Sequence, residues 1–244
     1  MSNRSLAAIP VLALVLLGGY AARAHAAGGM NLSWSDCGTA GQLQRNFACN
    51  TNAGFNTIVA SVIAPAAMGQ FNGQASSLEL ETNQASLSNW WQLASGGCRP
   101  TALTSDFNFT SASSCADPWQ GGAFGGVNYT PAYNGPNRAR IRTICAIPGS
   151  TSIDGTSEYY LFKVSISNAK SVGGCGGCTD GVVIVYRSVW LTQPAGVGDY
   201  TMVDQPIGRH YVKWQPGAPA GPEDVPLPTP ARNTTWGGVK SLYR

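Results

Sequence analysis

At 244 residues the chain has room for one medium domain with a sizeable core, or for two small ones, and we read it as one. Charged residues make up only 11% of it, against roughly 25% in an average soluble domain, which excludes long helices with charged outer faces as the main material. The formal charge of +3 gives no sign of a nucleic-acid or anionic-membrane partner.

Arg4, the apolar run 6–22 and Ala24-His25-Ala26 have the charged start, hydrophobic stretch and small-residue cleavage site of a secretory signal peptide, residues 1–26. The competing reading is an N-terminal membrane anchor, but small residues stand where a stop-transfer charge cluster belongs. Cleavage after Ala26 takes Arg4 and Arg23 from 15 basic residues, leaving 13 against 12 acidic ones, and leaves His210 as the one histidine. The first cysteine, Cys37, is too far from the cut for lipoprotein acylation. No later stretch is long enough to span a bilayer, so the expectation is a secreted or surface-displayed chain.

Segments 31–34 and 46–49 read as short extended pieces, and 55–65 as a β-branched strand ended by Pro65. Residues 76–82 alternate Leu78 and Leu80 with Glu79 and Glu81, the pattern of a half-buried strand. Trp90 and Trp91 lie in a short helical turn or edge segment, 87–93. A strand at 103–110 follows, and then a long loop, 116–137, rich in Gly, Pro and aromatic residues; loops of that length are usually functional or mobile.

Three strong strands come next. Residues 138–147 put Arg138, Arg140 and Arg142 on one face and Ala139, Ile141, Thr143, Cys145 and Ile147 on the other. Residues 158–168 alternate, and 181–191 are apolar on both faces for their first half. The three are expected together in the middle of one sheet. A last strand at 209–215 precedes 216–232, whose six prolines predict an extended linker, and 233–244 predicts a terminal docking or sorting segment. The whole predicts an all-β fold: an antiparallel β-sandwich with Greek-key connections over 27–215, built from eight or nine short strands.

The order of strands from Ile58 to Leu80 and from Arg138 to Leu191 is similar to that of cohesin-like, jelly-roll-like and related bacterial carbohydrate-binding sandwiches. The ending Thr235-Trp-Gly-Gly-Val-Lys-Ser-Leu-Tyr-Arg244 resembles the terminal segment of uncharacterised exported bacterial proteins, a likeness that implies a compartment and no activity.

All seven cysteines follow the predicted cut, where oxidation is expected. Proximity favours bridges Cys37–Cys49 and Cys98–Cys115; the third is Cys175–Cys178, or one of these with Cys145, and one thiol stays unpaired. Cys175 and Cys178 form a C-x-x-C set among glycines. Zinc needs about four Cys or His ligands, and only Cys145 and His210 are left to join this pair. Thioredoxin-like chemistry needs a helix start at the first cysteine, and glycines stand there. The reading is a structural disulfide in a turn, with no metal, cofactor or catalytic residue.

Trp90, Trp91, Trp119, Tyr129 and Tyr133, among Asn and Gln residues, offer flat rings of the kind that stack on sugars; the competing reading makes them lids on the core. The expected partner is a polysaccharide or another surface protein. The functional expectation is an exported, non-catalytic structural or binding module. The alternatives are a carbohydrate-binding module that uses the aromatic loop and a hydrolase that pairs carboxylates such as Glu79, Glu81, Asp117, Asp154 and Glu158.

Overall fold

The alternation of Leu78 and Leu80 with Glu79 and Glu81 continues beyond the predicted strand and forms the centre of the larger of two sheets. In the computed structural model, which describes residues 29–203 and 209–221, the strands are β1 (Gly29–Trp34), β2 (Gln44–Arg45), β3 (Phe55–Ile63), β4 (Met68–Thr82), β5 (Leu103–Asp106), β6 (Phe124–Pro131), β7 (Arg138–Ile153), β8 (Tyr159–Ser167), β9 (Val182–Thr192), β10 (Tyr200–Val203) and β11 (Tyr211–Trp214). One sheet runs β1-β3-β8-β5, and the other β2-β11-β9-β4-β7-β6 with β10 added to β9. Every pairing between strands is antiparallel except the two-residue β2–β11 match.

The two sheets pack face to face, and the chain passes between them at every connection from β1 to β6 and again at β7–β8 and β8–β9. This is an all-β, disulfide-stapled β-sandwich. Leu78, Leu80, Ile141, Ile184 and Tyr186 from the larger sheet meet Ile58, Ala60, Phe162, Val164 and Ile166 from the smaller. Each large apolar side chain so buried contributes about 1.5–3 kcal/mol. No helix among the described residues is long and apolar enough to cross a membrane.

The three strong strands do not share a sheet. β7 and β9 flank β4, whereas β8 lies in the other sheet between β3 and β5. Alternation fixes which side chains of a strand face inward, and leaves its neighbour unspecified. The long loop predicted at 116–137 contains a strand, β6, paired along its length with β7. Gly125 permits that pairing, because a Cβ there would run into the Ile144 carbonyl and Cys145.

The described part of the proline-rich stretch, 216–221, lies back on the sandwich. Asn83 Nδ2 donates to Gly217 O at 3.4 Å, Pro219 is buried, and Gly221 rests against the Tyr211 ring. The predicted signal peptide and the 233–244 segment lie outside the described residues.

Candidate functional site

The six cysteines expected in bridges are all bridged, with other partners. The pairs are Cys37–Cys115, Cys49–Cys178 and Cys98–Cys175, with Cys145 free and buried. The local pairs Cys37–Cys49, Cys98–Cys115 and Cys175–Cys178 do not form. The C-x-x-C loop places its two sulfurs on different neighbours: Cys175 reaches the excursion after the Trp90 turn, and Cys178 reaches the segment after β2. Gly177 makes this possible, since its φ of +103° favours glycine and a Cβ would strike Ser88.

That loop seals an aromatic end of the sandwich. The rings of Trp90, Trp91 and Trp34 lie 4.6, 5.4 and 5.9 Å from Trp214, and Phe47 stacks on Trp214 at 4.2 Å. Trp214 Nε1 donates to Cys178 O at 2.7 Å, and the Trp90 N–H to Gly176 O at 2.9 Å. Arg99, beside the bridged Cys98, stacks its guanidinium 3.6 Å over Trp90. It donates to the carbonyls of Trp90 (2.7 Å), Ala169 (2.9 Å) and Ser167. Burial pushes its pKa down to about 10, so it is still a cation at neutral pH.

The aromatic residues expected to bind a ligand are therefore found elsewhere than on an exposed row. Trp90, Trp91 and Trp119 are fully buried and Tyr129 nearly so. Tyr133 is half-buried with Arg140 stacked 3.9 Å above its ring. Trp119 donates to Leu161 O at 3.0 Å at the other end of the sandwich, and Tyr129 to Trp91 O at 2.5 Å. Burial is where rings of this size contribute most, and each segment carrying them turns inward.

The acidic candidates are engaged in structure. Glu81 pairs with Arg138 at 2.9 Å, and Glu79 with Arg187 of β9 at 3.0 Å rather than with Arg140 opposite it. Asp117 accepts the Trp119 N–H, and Asp154 accepts from Thr156, Ser157 and Tyr159 in the turn before β8. Those hydrogen bonds hold the Asp154 carboxyl far below its usual range. Glu158 takes Asn31 Nδ2 at 2.8 Å and Ser61 Oγ at 2.5 Å. It lies beside Cys37 and Cys115, whose sulfurs are bonded to each other and offer no thiolate to a metal.

Between the sheets runs a polar chain that the sequence did not reveal. Tyr186 OH meets Ser76 Oγ at 2.8 Å, Ser76 donates to Gln74 Oε1 at 2.5 Å, and Gln74 Nε2 donates to Thr143 Oγ1 at 3.3 Å and Cys145 Sγ at 3.6 Å. Cys145 is pushed up to about 12, first by burial, so its thiol is protonated and unreactive at neutral pH.

The outer face of the larger sheet offers a candidate surface for a ligand. Register places Trp190 of β9, Ala75 of β4, Ile144 of β7 and Gly126 of β6 in one row across four strands. The next row holds Ser188, Ser77, Arg142 and Asn128. Trp190 and Ile144 are 48% and 64% exposed, while Ala75 and Gly126 leave low ground beside them. A shallow hollow of about 450 Å³ opens there, lined by Ala75, Gly126, Asn128, Arg142 and Ile144. Asp199 fixes Trp190 by accepting its indole N–H at 3.0 Å. The outward parity of Arg142 and Ile144 was readable from alternation; Trp190 was lost in an apolar run, and β6 in a glycine-rich loop. No protein-family model and no curated protein matches the chain.

Proposed function

We propose that the chain is an exported, non-catalytic β-sandwich that works as a binding or structural module outside the cytoplasm. The observation that carries this reading is the bridge pattern, in which sequence separations of 78, 129 and 77 join loops at both ends of the fold. Covalent ties of that span persist in oxidising compartments and are rare where thiols are kept reduced. Expression of the full chain in a bacterial host, with fractionation and thiol counting, tests it. The expected result is loss of residues 1–26 and one free thiol per chain in the exported fraction. Retention in the cytoplasm with seven reduced thiols and intact folding would end the reading.

The polysaccharide partner expected from the aromatic loop moves, under this reading, away from Trp90, Trp91, Trp119 and Tyr129, which are core. What supports a binding role is the hollow on the outer face, with its fixed indole and its mixed apolar and amide lining.

A further inference from the structure

We infer that the outer face of the larger sheet binds an acidic polysaccharide, with Arg142 holding a uronate carboxylate and Trp190 carrying a sugar ring. This rests on the binding-module reading above and names its ligand class. Arg142 supplies the main observation. Every other lysine and arginine among the described residues has an ion-pair, hydrogen-bond or ring partner. Arg142 has none, is exposed, and lines the hollow.

Its surroundings define the complement. The nearby acids on the same face, Glu79 and Glu81, are engaged by Arg187 and Arg138. Asp199 is engaged by the Trp190 indole and the Gln193 N–H. Around Arg142 the lining is neutral: Ala75, Gly126, Ile144 and Asn128. A planar guanidinium with no anion of its own, set in a neutral hollow, is complementary to a carboxylate, which it can grip through two parallel N–H donors.

The other features narrow the carrier of that carboxylate. Thr130 Oγ1 donates to Asn128 Oδ1 at 3.4 Å, which leaves the Asn128 amide nitrogen as a donor for a hydroxyl. Trp190 lies two strands from Arg142, about 10 Å across the sheet, and one pleat away along it. Its indole is held in place by Asp199 before any ligand arrives, so a ring stacking on it orders little further. An apolar ring face, a fringe of hydroxyls and a carboxylate, repeated along a chain, meet these three groups at once. A protein partner would draw on a wider apolar centre than one indole and one isoleucine supply.

Affinity electrophoresis of the oxidised protein through gels holding polygalacturonate, or the same polymer with its carboxyls reduced to alcohols, tests the inference. The wild type is expected to be retarded by the acidic polymer alone. Arg142→Gln should weaken that retardation at least about tenfold, the loss expected for one charge-assisted contact. Gly126→Leu, at a site where a Cβ meets nothing within 4 Å, should block the hollow with the melting temperature unchanged. No retardation of a protein whose bridges are intact overturns the ligand class and leaves the exported-module reading standing. Equal retardation by the reduced polymer, or by Arg142→Gln, overturns the role of Arg142. A reduced, cytoplasmic protein would instead mark failure of the underlying reading, and is seen by thiol counting before any gel is run.

Discussion

Arg99 and its neighbours show how one end of the molecule is held. A buried cation with no carboxylate is stable here because three carbonyls and the face of Trp90 replace its water. Arg99→Lys keeps the charge but loses the planar stack and the forked donors, so we expect a loss of about 1–3 kcal/mol in urea unfolding. Trp90 and Trp91 are adjacent and equally buried, yet Trp90 Nε1 donates to Ser171 Oγ at 2.8 Å while Trp91 Nε1 has no partner among the described residues. Trp90→Phe should therefore cost about 1 kcal/mol more than Trp91→Phe; equal costs would contradict the bond assignment. Cys145 carries a prediction in pH. Its folded pKa of about 12 lies above the roughly 8.5 of an unfolded thiol, so between those values the unfolded chain has lost a proton that the folded chain keeps. Its contribution is complete below about pH 8 and is lost as pH rises towards 12, and burial shifts Tyr129 and Tyr186 upward in the same sense. Urea midpoints measured from pH 7 to 10.5 should be flat and then fall, less steeply in Cys145→Ala. Iodoacetamide should label Cys145 only after unfolding.

The elements divide by what alternation can encode. The boundaries of β3, β8 and β9 and the inward faces of β4 and β7 were legible, because Leu78, Leu80, Ile141 and Phe162 recur at every second position. Partnership was not legible, since β8 has the same pattern whichever sheet it joins. β6 was hidden for a different reason: Gly125 and Gly126 remove the side chains that would have marked its faces. Their roles differ, and the difference is testable. Gly125→Ala drives a Cβ into β7 and should destabilise by about 1–3 kcal/mol, while Gly126→Ala meets open space and should stay within about 0.5 kcal/mol. Similar losses at both positions in thermal unfolding would contradict the β6–β7 register. The proposed binding surface was half legible in the same way. Arg142 showed its outward parity in the sequence, but the adjacent rows that bring it near Trp190 exist only through pairings with β4.

At the scale of the whole molecule, the three bridges overlap, so residues 37–178 all lie inside at least one closed loop. Cys37–Cys115 overlaps both of the others, and Cys98–Cys175 lies within the span of Cys49–Cys178. Proximity in sequence failed as a guide to pairing because the sheets bring distant loops to the same ends of the sandwich. The cost of removing one such bridge is about 2–5 kcal/mol, and Cys98→Ser with Cys175→Ser should show it as a lowered urea midpoint. The C-x-x-C loop, which looked like a redox or metal motif, is in this account a two-pointed anchor that fixes the aromatic end to the body of the sandwich. Peptide mapping of the non-reduced protein by mass spectrometry tests that claim most directly. The account predicts peptides joining Cys49 to Cys178 and Cys98 to Cys175, with Cys145 unmodified; a peptide holding a Cys175–Cys178 bridge would contradict it.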